Sequence, residues 1–407
     1  MKSSTKIVFY RPHASVWFKN PIVNFIKRQL LPNKYEQFFD YILKSDLDVY
    51  FTNDLFQSNG LKGSVRSLID TFQLIIWCIL NKISLRRVGF IFSKNGLEGK
   101  DILFMMLYGN LTHESDILAK NGKQLADFLS DVNIYKVIHM THYAYNPKLS
   151  SVNLAVLSPN LLVAENNLLK NSDFFKHFFS DIPHHFYQMP YTPAGRFLKH
   201  KQFGSRINKL VVTGTITFKM KQADFIKFYQ TNELQPLRRI LYENAHIYTN
   251  QMDCMISDLN ASRELNPAIN RLQYLNKFFA KLLGIHPQKK YYKQNIVDIY
   301  NSYKMFTVPE ELCDLPAIGF VEGMACGSAF FGISSPMYSD LGMLANVHYV
   351  AYDGSLEDLM RKVSYYQDHN DQLELIASNG YEFVSNNLNV EAVYSKFIDQ
   401  LKSQVIS

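Results

Sequence analysis

The stretch YKMFTVPEELCDLPAIGFVEGMACGSAFFGISSP, from Tyr303 to Pro336, decides how this chain is read. Lys304 to Val308 is bulky and mostly apolar, which suits a short buried strand. The turn that follows, Pro309 to Asp314, carries three carboxylates: Glu310, Glu311 and Asp314. Gly319 to Cys326 has small residues, Gly323 and Ala325, that let a helix pack closely. Gly327 stops that helix where a positive φ is wanted, and Ala329 to Ile333 supplies the next strand. Strand, loop, helix and strand make one step of an α/β fold.

Three features of this step bear on chemistry. Asp314 and Glu322 stand eight positions apart, one beyond the strand and one in the first turns of the helix. Gly319 and Gly323 remove side chains where a ligand could meet bare N–H groups, and a helix start favours an anion. A carboxylate there can take two hydrogen bonds from a vicinal diol such as ribose. It can equally cap its own helix, with the glycines serving packing alone. Spacing leaves both readings open.

The residues themselves resemble the donor-nucleotide motif of glycosyltransferases with the two-domain GT-B fold. In that motif an acid, seven residues and a Glu precede a small-residue helix ending in Ala-Cys-Gly. Here the acids are Asp314 and Glu322, and Gly323 to Gly327 matches the helix end. The resemblance runs from Val211 to Lys402 and reaches the first half only through architecture. The chain departs from the motif in having Asp rather than Glu first, and Leu315-Pro316-Ala317 where Gly-Phe-Gly is usual. The resemblance implies two Rossmann-like α/β domains with a cleft between them. Their bounds are expected at 1–195 for acceptor binding and 207–388 for the nucleotide-sugar. A final helix, 389–407, is expected to cross back onto the first domain.

Length and composition agree with two domains. The chain has 407 residues, 47% hydrophobic and 14% aromatic, enough for two buried cores. Charged residues are only 19%, which excludes a disordered or coiled-coil chain. The surplus of cations is +7, too small and dispersed for a nucleic-acid protein but suited to an anionic ligand or an anionic membrane surface. Cys78, Cys254, Cys313 and Cys326 have no paired spacing, so neither a disulfide framework nor a zinc site is expected. MKSSTKIVFY runs into a strand without a signal-peptide core, and Phe72 to Leu80 is less than half a membrane span. A cytoplasmic protein is expected, with peripheral contact at a membrane face through Trp17, Lys19, Lys27, Arg28 and Lys34.

Along the chain, strands are predicted at Lys6 to Tyr10, Leu47 to Thr52, Arg87 to Ser93, Asp101 to Met106, Tyr135 to Met140, Val152 to Leu157 and Leu161 to Glu165. Helices are predicted at Pro21 to Leu31, Tyr35 to Leu43, Val65 to Asn81 and Glu114 to Leu129. The alternation implies a mostly parallel sheet. The basic run Phe197 to Arg206 reads as the linker. Leu210 to Thr215 restarts the pattern, with strands expected at His246 to Thr249 and Gln294 to Ile299 before the motif. Asp46-Leu47-Asp48 has a metal–nucleotide spacing but begins a strand, whereas ligands in open α/β sheets lie beyond strand ends.

Several groups are candidates for the site. Thr213, Gly214 and Thr215 form a turn after the restarting strand, placed to face phosphate. Arg238 and Arg239 could clamp phosphate in a bidentate way, or pair with Glu233 and Glu243; Lys304 is a further cation. Gly319, Phe320, Glu322 and Gly323 complete the donor set, with Asp314 as the acid the resemblance places near the sugar. His139 and His142 close a strand in the first half, and Glu165 ends another; each could act as base or acceptor contact, and the two histidines could instead bind a metal or fill polar corners.

The resemblance implies a glycosyltransferase, retaining rather than inverting, that moves sugar from a nucleotide-sugar to a glycan or lipid-linked acceptor. Cell-surface polysaccharide or lipopolysaccharide assembly is the expected setting, with no cofactor and no bound metal, because protein cations meet the leaving phosphate. Two alternatives share the fold: a nucleotide-sugar 2-epimerase and a non-catalytic binding protein.

Overall fold

The computed structural model describes residues 5–11, 36–53, 55, 61–80, 83–113, 116–182, 184–216, 219–258 and 295–406. The first half builds β1 (Lys6–Tyr10), β2 (Asp48–Thr52), β3 (Val88–Ile91), β4 (Ile102–Met106), β5 (Tyr135–His139), β6 (Leu161–Ala164) and β7 (His185–Gln188). They form one parallel sheet in the order β3-β2-β1-β4-β5-β6-β7. Its central strands are apolar on both faces: every residue of Ile102–Met106 and of Leu161–Ala164 is buried. That is what helices on both sides demand.

The second half builds β8 (Ile207–Val212), β9 (Thr215–Ile216), β10 (Met252–Cys254), β11 (Ser257–Asp258), β12 (Tyr303–Thr307), β13 (Ala329–Ile333) and β14 (Val350–Tyr352). Five of these form a parallel sheet, β10-β8-β12-β13-β14, and β9 pairs with β11 as a small extension. Two parallel α/β sheets in succession are thus present. The segment joining them is held by the second: the Arg206 guanidinium, buried, donates to the Lys201, Cys326 and Tyr300 carbonyls.

The last helix, Val390–Ile406, packs on the first sheet's helix Glu36–Lys44. Tyr394 and Phe397 meet Phe38 with ring centroids 5.2 and 5.8 Å apart, and Phe397 also touches Tyr187. Lys402 reaches Asp46 at 2.6 Å, so the first acid of Asp46-Leu47-Asp48 is engaged in an ion pair at the amino end of β2. Among the described residues, no group of three or more His, Cys, Asp or Glu could hold a metal ion.

Three predicted strands are corrected. Val152 to Leu157 is the end of a helix, Pro147–Leu157, started by a proline at its first position and burying Ser150, Asn153, Leu154 and Leu157 at helical spacing. Gln294 to Ile299 gives way to the helix Ile296–Ser302, whose Tyr300 and Asn301 are buried. His246 to Thr249 is a turn, and the strand lies just beyond it at Met252–Cys254. One strand in the aromatic segment after Phe179, β7, had no sequence prediction. The predicted helix Pro21 to Leu31 and the surface of Trp17, Lys19, Lys27, Arg28 and Lys34 lie outside the described residues.

Candidate functional site

In an open α/β sheet, ligands bind beyond the carboxyl ends of the strands where the strand order reverses. The second sheet reverses between β8 and β12, because the chain goes from β8 to its outer neighbour β10 and then returns to the other side. The residues at that point are the ends of β8 (Thr213, Gly214) and of β12 (Val308, Pro309, Glu310).

Arg238 joins the two ends. It sits in the helix Pro236–Asn244 and is only 7% exposed. Its Nε donates to the Pro309 carbonyl at 2.9 Å and its Nη1 to the Thr215 carbonyl at 3.2 Å. Gly214 has φ of 137°, and a Cβ there would lie 3.2 Å from Arg238 Nε. Glycine at this turn therefore permits both the backbone conformation and the close approach of the guanidinium. Two of five guanidinium N–H groups are used, and the other three have no acceptor among the described residues.

Glu310 is the buried acid beside this cation, 8% exposed. Tyr338 Oη and, at 3.4 Å, the Ile333 N–H donate to its Oε1, while Oε2 is buried with no partner. Burial raises its pKa, opposed by the hydrogen bonds and more weakly by Arg238. Sequence alone shows Glu310 as one acid of three in a turn; nothing there singles it out.

Thr213 and Thr215 flank the turn, with Thr213 Oγ1 3.2 Å from Tyr300 Oη. Arg239, next to Arg238, is engaged elsewhere, meeting Glu233 at 2.9 Å and Asp258 at 3.2 Å. Lys304 is the second residue of β12 and its Nζ donates to Asn370, which puts it near the far end of the strand, roughly 13 Å by strand rise from the loop. The helix Gly319–Ala325 buries every residue except Glu322, which is partly exposed. Its glycines face the sheet: a Cβ on Gly323 would lie 2.3 Å from the Phe306 ring, and one on Gly319 2.7 Å from Val308. Phe320 is buried in the core against Phe330 and Tyr338. Gly319, Phe320 and Gly323 therefore seat the helix and leave Glu322 as its outward group.

Asp314 belongs to a different neighbourhood. With φ of 54°, it turns toward the first sheet. Asn166 Nδ2, just past β6, donates to the Asp314 carbonyl at 2.7 Å, and Tyr143 Oη donates to the Cys313 carbonyl at 2.7 Å. Burial raises the Asp314 pKa, while the Ser172 hydroxyl acts in the opposite direction. Lys170 and Asn171 add contacts to Asp340 at 2.6 and 2.8 Å. These bridges bring the two sheets' carboxyl ends together.

The first-half candidates separate. His139 and Glu165 lie 3.7 Å apart, Nε2 to Oε1, and both are buried on the sheet face that holds Val137 and Val163. His139 Nδ1 contacts Thr141 Oγ1 at 2.7 Å. His142 instead has φ of 52° and lies among the rings of Tyr108 and Tyr145. The first sheet's own reversal, between β1 and β4, carries a group that no local sequence signal marks: Arg11, whose Nη1 donates to the Gly109 carbonyl at 3.4 Å.

Residues 322–403 match the family model for glycosyl transferase family 90. No curated protein sequence matches the chain. Among solved structures, the chain is similar to sucrose-phosphate synthase from Thermosynechococcus elongatus, at 9% identity over 99% of both chains with a TM-score of 0.53. It is also similar to HepE from Anabaena, solved with UDP and glucose, at 11% identity over 98% of this chain and 100% of that one, TM-score 0.52. A glycosyltransferase from Rickettsia africae matches at 10% identity over 99% of both chains, TM-score 0.50. The fold shared with these proteins is GT-B.

Proposed function

We infer that this chain, a GT-B protein, is a glycosyltransferase that takes sugar from a nucleotide-sugar bound beyond β8 and β12. The observation that carries the reading is Arg238. It is a buried guanidinium lying on a positive-φ glycine at the sheet's reversal point, with three donors left for an anion. The family-90 match at 322–403 begins at Glu322, the outward carboxylate of its helix. HepE, whose fold is shared, has been solved with UDP and with UDP-glucose.

In this reading the diphosphate lies against Gly214 and Arg238, and Glu322 receives the ribose hydroxyls. Arg238 stabilises the negative charge that grows on the leaving phosphate, a preorganised interaction in a site of low dielectric. The acceptor enters from the first domain, a glycan or lipid-linked saccharide of surface-polysaccharide or lipopolysaccharide assembly, and transfer is retaining. The four cysteines are free, in keeping with a cytoplasmic setting.

A thermal-shift panel of UDP-, GDP-, dTDP- and CMP-sugars tests this. A donor at 100 times its Kd adds about 2.7 kcal/mol to the native state. One base class should raise the melting temperature, and silence across the whole panel at millimolar ligand would overturn the reading. Transfer to acceptor should also survive EDTA; loss restored by Mg²⁺ or Mn²⁺ would mean that Arg238 does not suffice for the phosphate charge.

A further inference from the structure

The helix Leu61–Leu80 is apolar on two faces. Leu74 and Cys78 point into the core with Val49 and Val88 of β2 and β3, and Thr71 accepts a hydrogen bond from Asn53. A second face is bare. Val65, Leu68, Ile69, Phe72 and Ile79 recur at helical spacing, and Leu68 is 71% and Phe72 64% exposed. The stripe runs about 21 Å, at 1.5 Å per residue. Soluble surfaces scatter single apolar residues, whereas a contiguous row of this kind marks a contact.

Charge says what covers it. The turn that follows the helix, Leu85–Arg87, touches it and exposes Leu85, Arg86 and Arg87. Neither arginine has an acidic partner among the described residues; Arg87 reaches only the Ser45 carbonyl. No helix among the described residues is long and apolar enough to cross a membrane, so the contact is with a surface. We propose that the outer face of Leu61–Leu80, with Arg86 and Arg87, docks on an anionic lipid bilayer, the apolar row entering the headgroup boundary and the arginines meeting lipid phosphate. A second copy fits less well, because a stripe one helix wide falls short of roughly 800 Å² per partner, and twofold pairing would oppose like charges. The inference does not depend on the sugar-transfer reading.

Cosedimentation of the full chain with vesicles of phosphatidylcholine, and of phosphatidylcholine with phosphatidylglycerol, tests it. Binding to the anionic vesicles is expected, weakening with salt. It should fall at least tenfold in Leu68→Glu/Phe72→Glu and in Arg86→Glu/Arg87→Glu. Should the first pair fail to fold, Leu68→Ser/Phe72→Ser serves, with melting temperature as the check. Absence of binding to anionic vesicles would overturn the proposal, as would unchanged binding in both pairs. A dimer in light scattering that Leu68→Glu/Phe72→Glu turns to monomer, with vesicle binding intact, would assign the face to a second copy instead.

Discussion

Replacing Arg238 by lysine separates its bracing of Pro309 and Thr215 from the phosphate role proposed for it. Lysine keeps the charge but loses the planar fork, so one ammonium cannot serve Pro309, Thr215 and a phosphate together. A hydrogen bond to a charged group contributes about 1.5–3 kcal/mol. Losing one such bond to the diphosphate should weaken nucleotide binding about 10- to 150-fold, since about 1.4 kcal/mol is tenfold. Losing one to a carbonyl should also lower the melting temperature, by roughly 2–4 °C for each kcal/mol in a domain of this size. Calorimetric titration with the nucleoside diphosphate that the panel selects gives the first quantity, and a thermal melt of the same sample gives the second. Both should fall. A lower melting temperature with unchanged affinity would make Arg238 a brace between the ends of β8 and β12 and remove it from the donor site.

Other substitutions divide packing from binding. Gly323→Ala puts a methyl 2.3 Å from the Phe306 ring, an overpacking that costs about 1–3 kcal/mol; melting temperature should drop while the folded fraction binds nucleotide normally, and an unchanged melt would refute the packing role. Glu322→Gln should leave the melt alone and cut nucleotide affinity about tenfold or more by titration; the reverse pattern would make Glu322 a helix cap. Glu310 holds its proton more tightly folded than unfolded, so its contribution to stability is full below the ordinary carboxylate range and is lost as pH rises through its raised pKa. Glu310→Gln should flatten that fall, by about 1.4 kcal/mol for each tenfold gain in proton affinity on folding, and parallel melts of both proteins across roughly pH 4–8 would count against it.

How much of this could be read from the sequence varies with the range of the interactions involved. The step from Tyr303 to Ile333 is legible because its apolar strand, small-residue helix and Gly327, with φ of 73°, are local signals. Val152 to Leu157 is not, since a short apolar run fits a buried strand or a buried helix face equally, and only Pro147 decides it. Arg238 and Arg239 look interchangeable in sequence, yet one lies on Gly214 and the other pairs with Glu233 and Asp258. Glu310 gains its character from Ile333 and Tyr338, more than twenty residues later. Strand order, and with it the reversal point, is likewise absent from any local pattern.

The loop from Pro309 to Asp314 explains why Asp314 and Glu322, eight positions apart, lie in different neighbourhoods. At its start Arg238 holds the Pro309 carbonyl, inside the second domain. At its end Tyr143 and Asn166 hold the Cys313 and Asp314 carbonyls from the first. Few residues separate the two anchorages, so the loop cannot turn Asp314 toward the reversal point without loosening the contact between domains. The left-handed backbone at Asp314 fixes the same choice, turning the residue toward Ser172. Glu322 escapes this constraint because Gly319 and Gly323 root its helix on Val308 and Phe306, leaving its own side partly open. The acid eight residues earlier therefore stands where the two sheets' carboxyl ends meet, while Glu322 stands partly exposed on a helix of the second sheet.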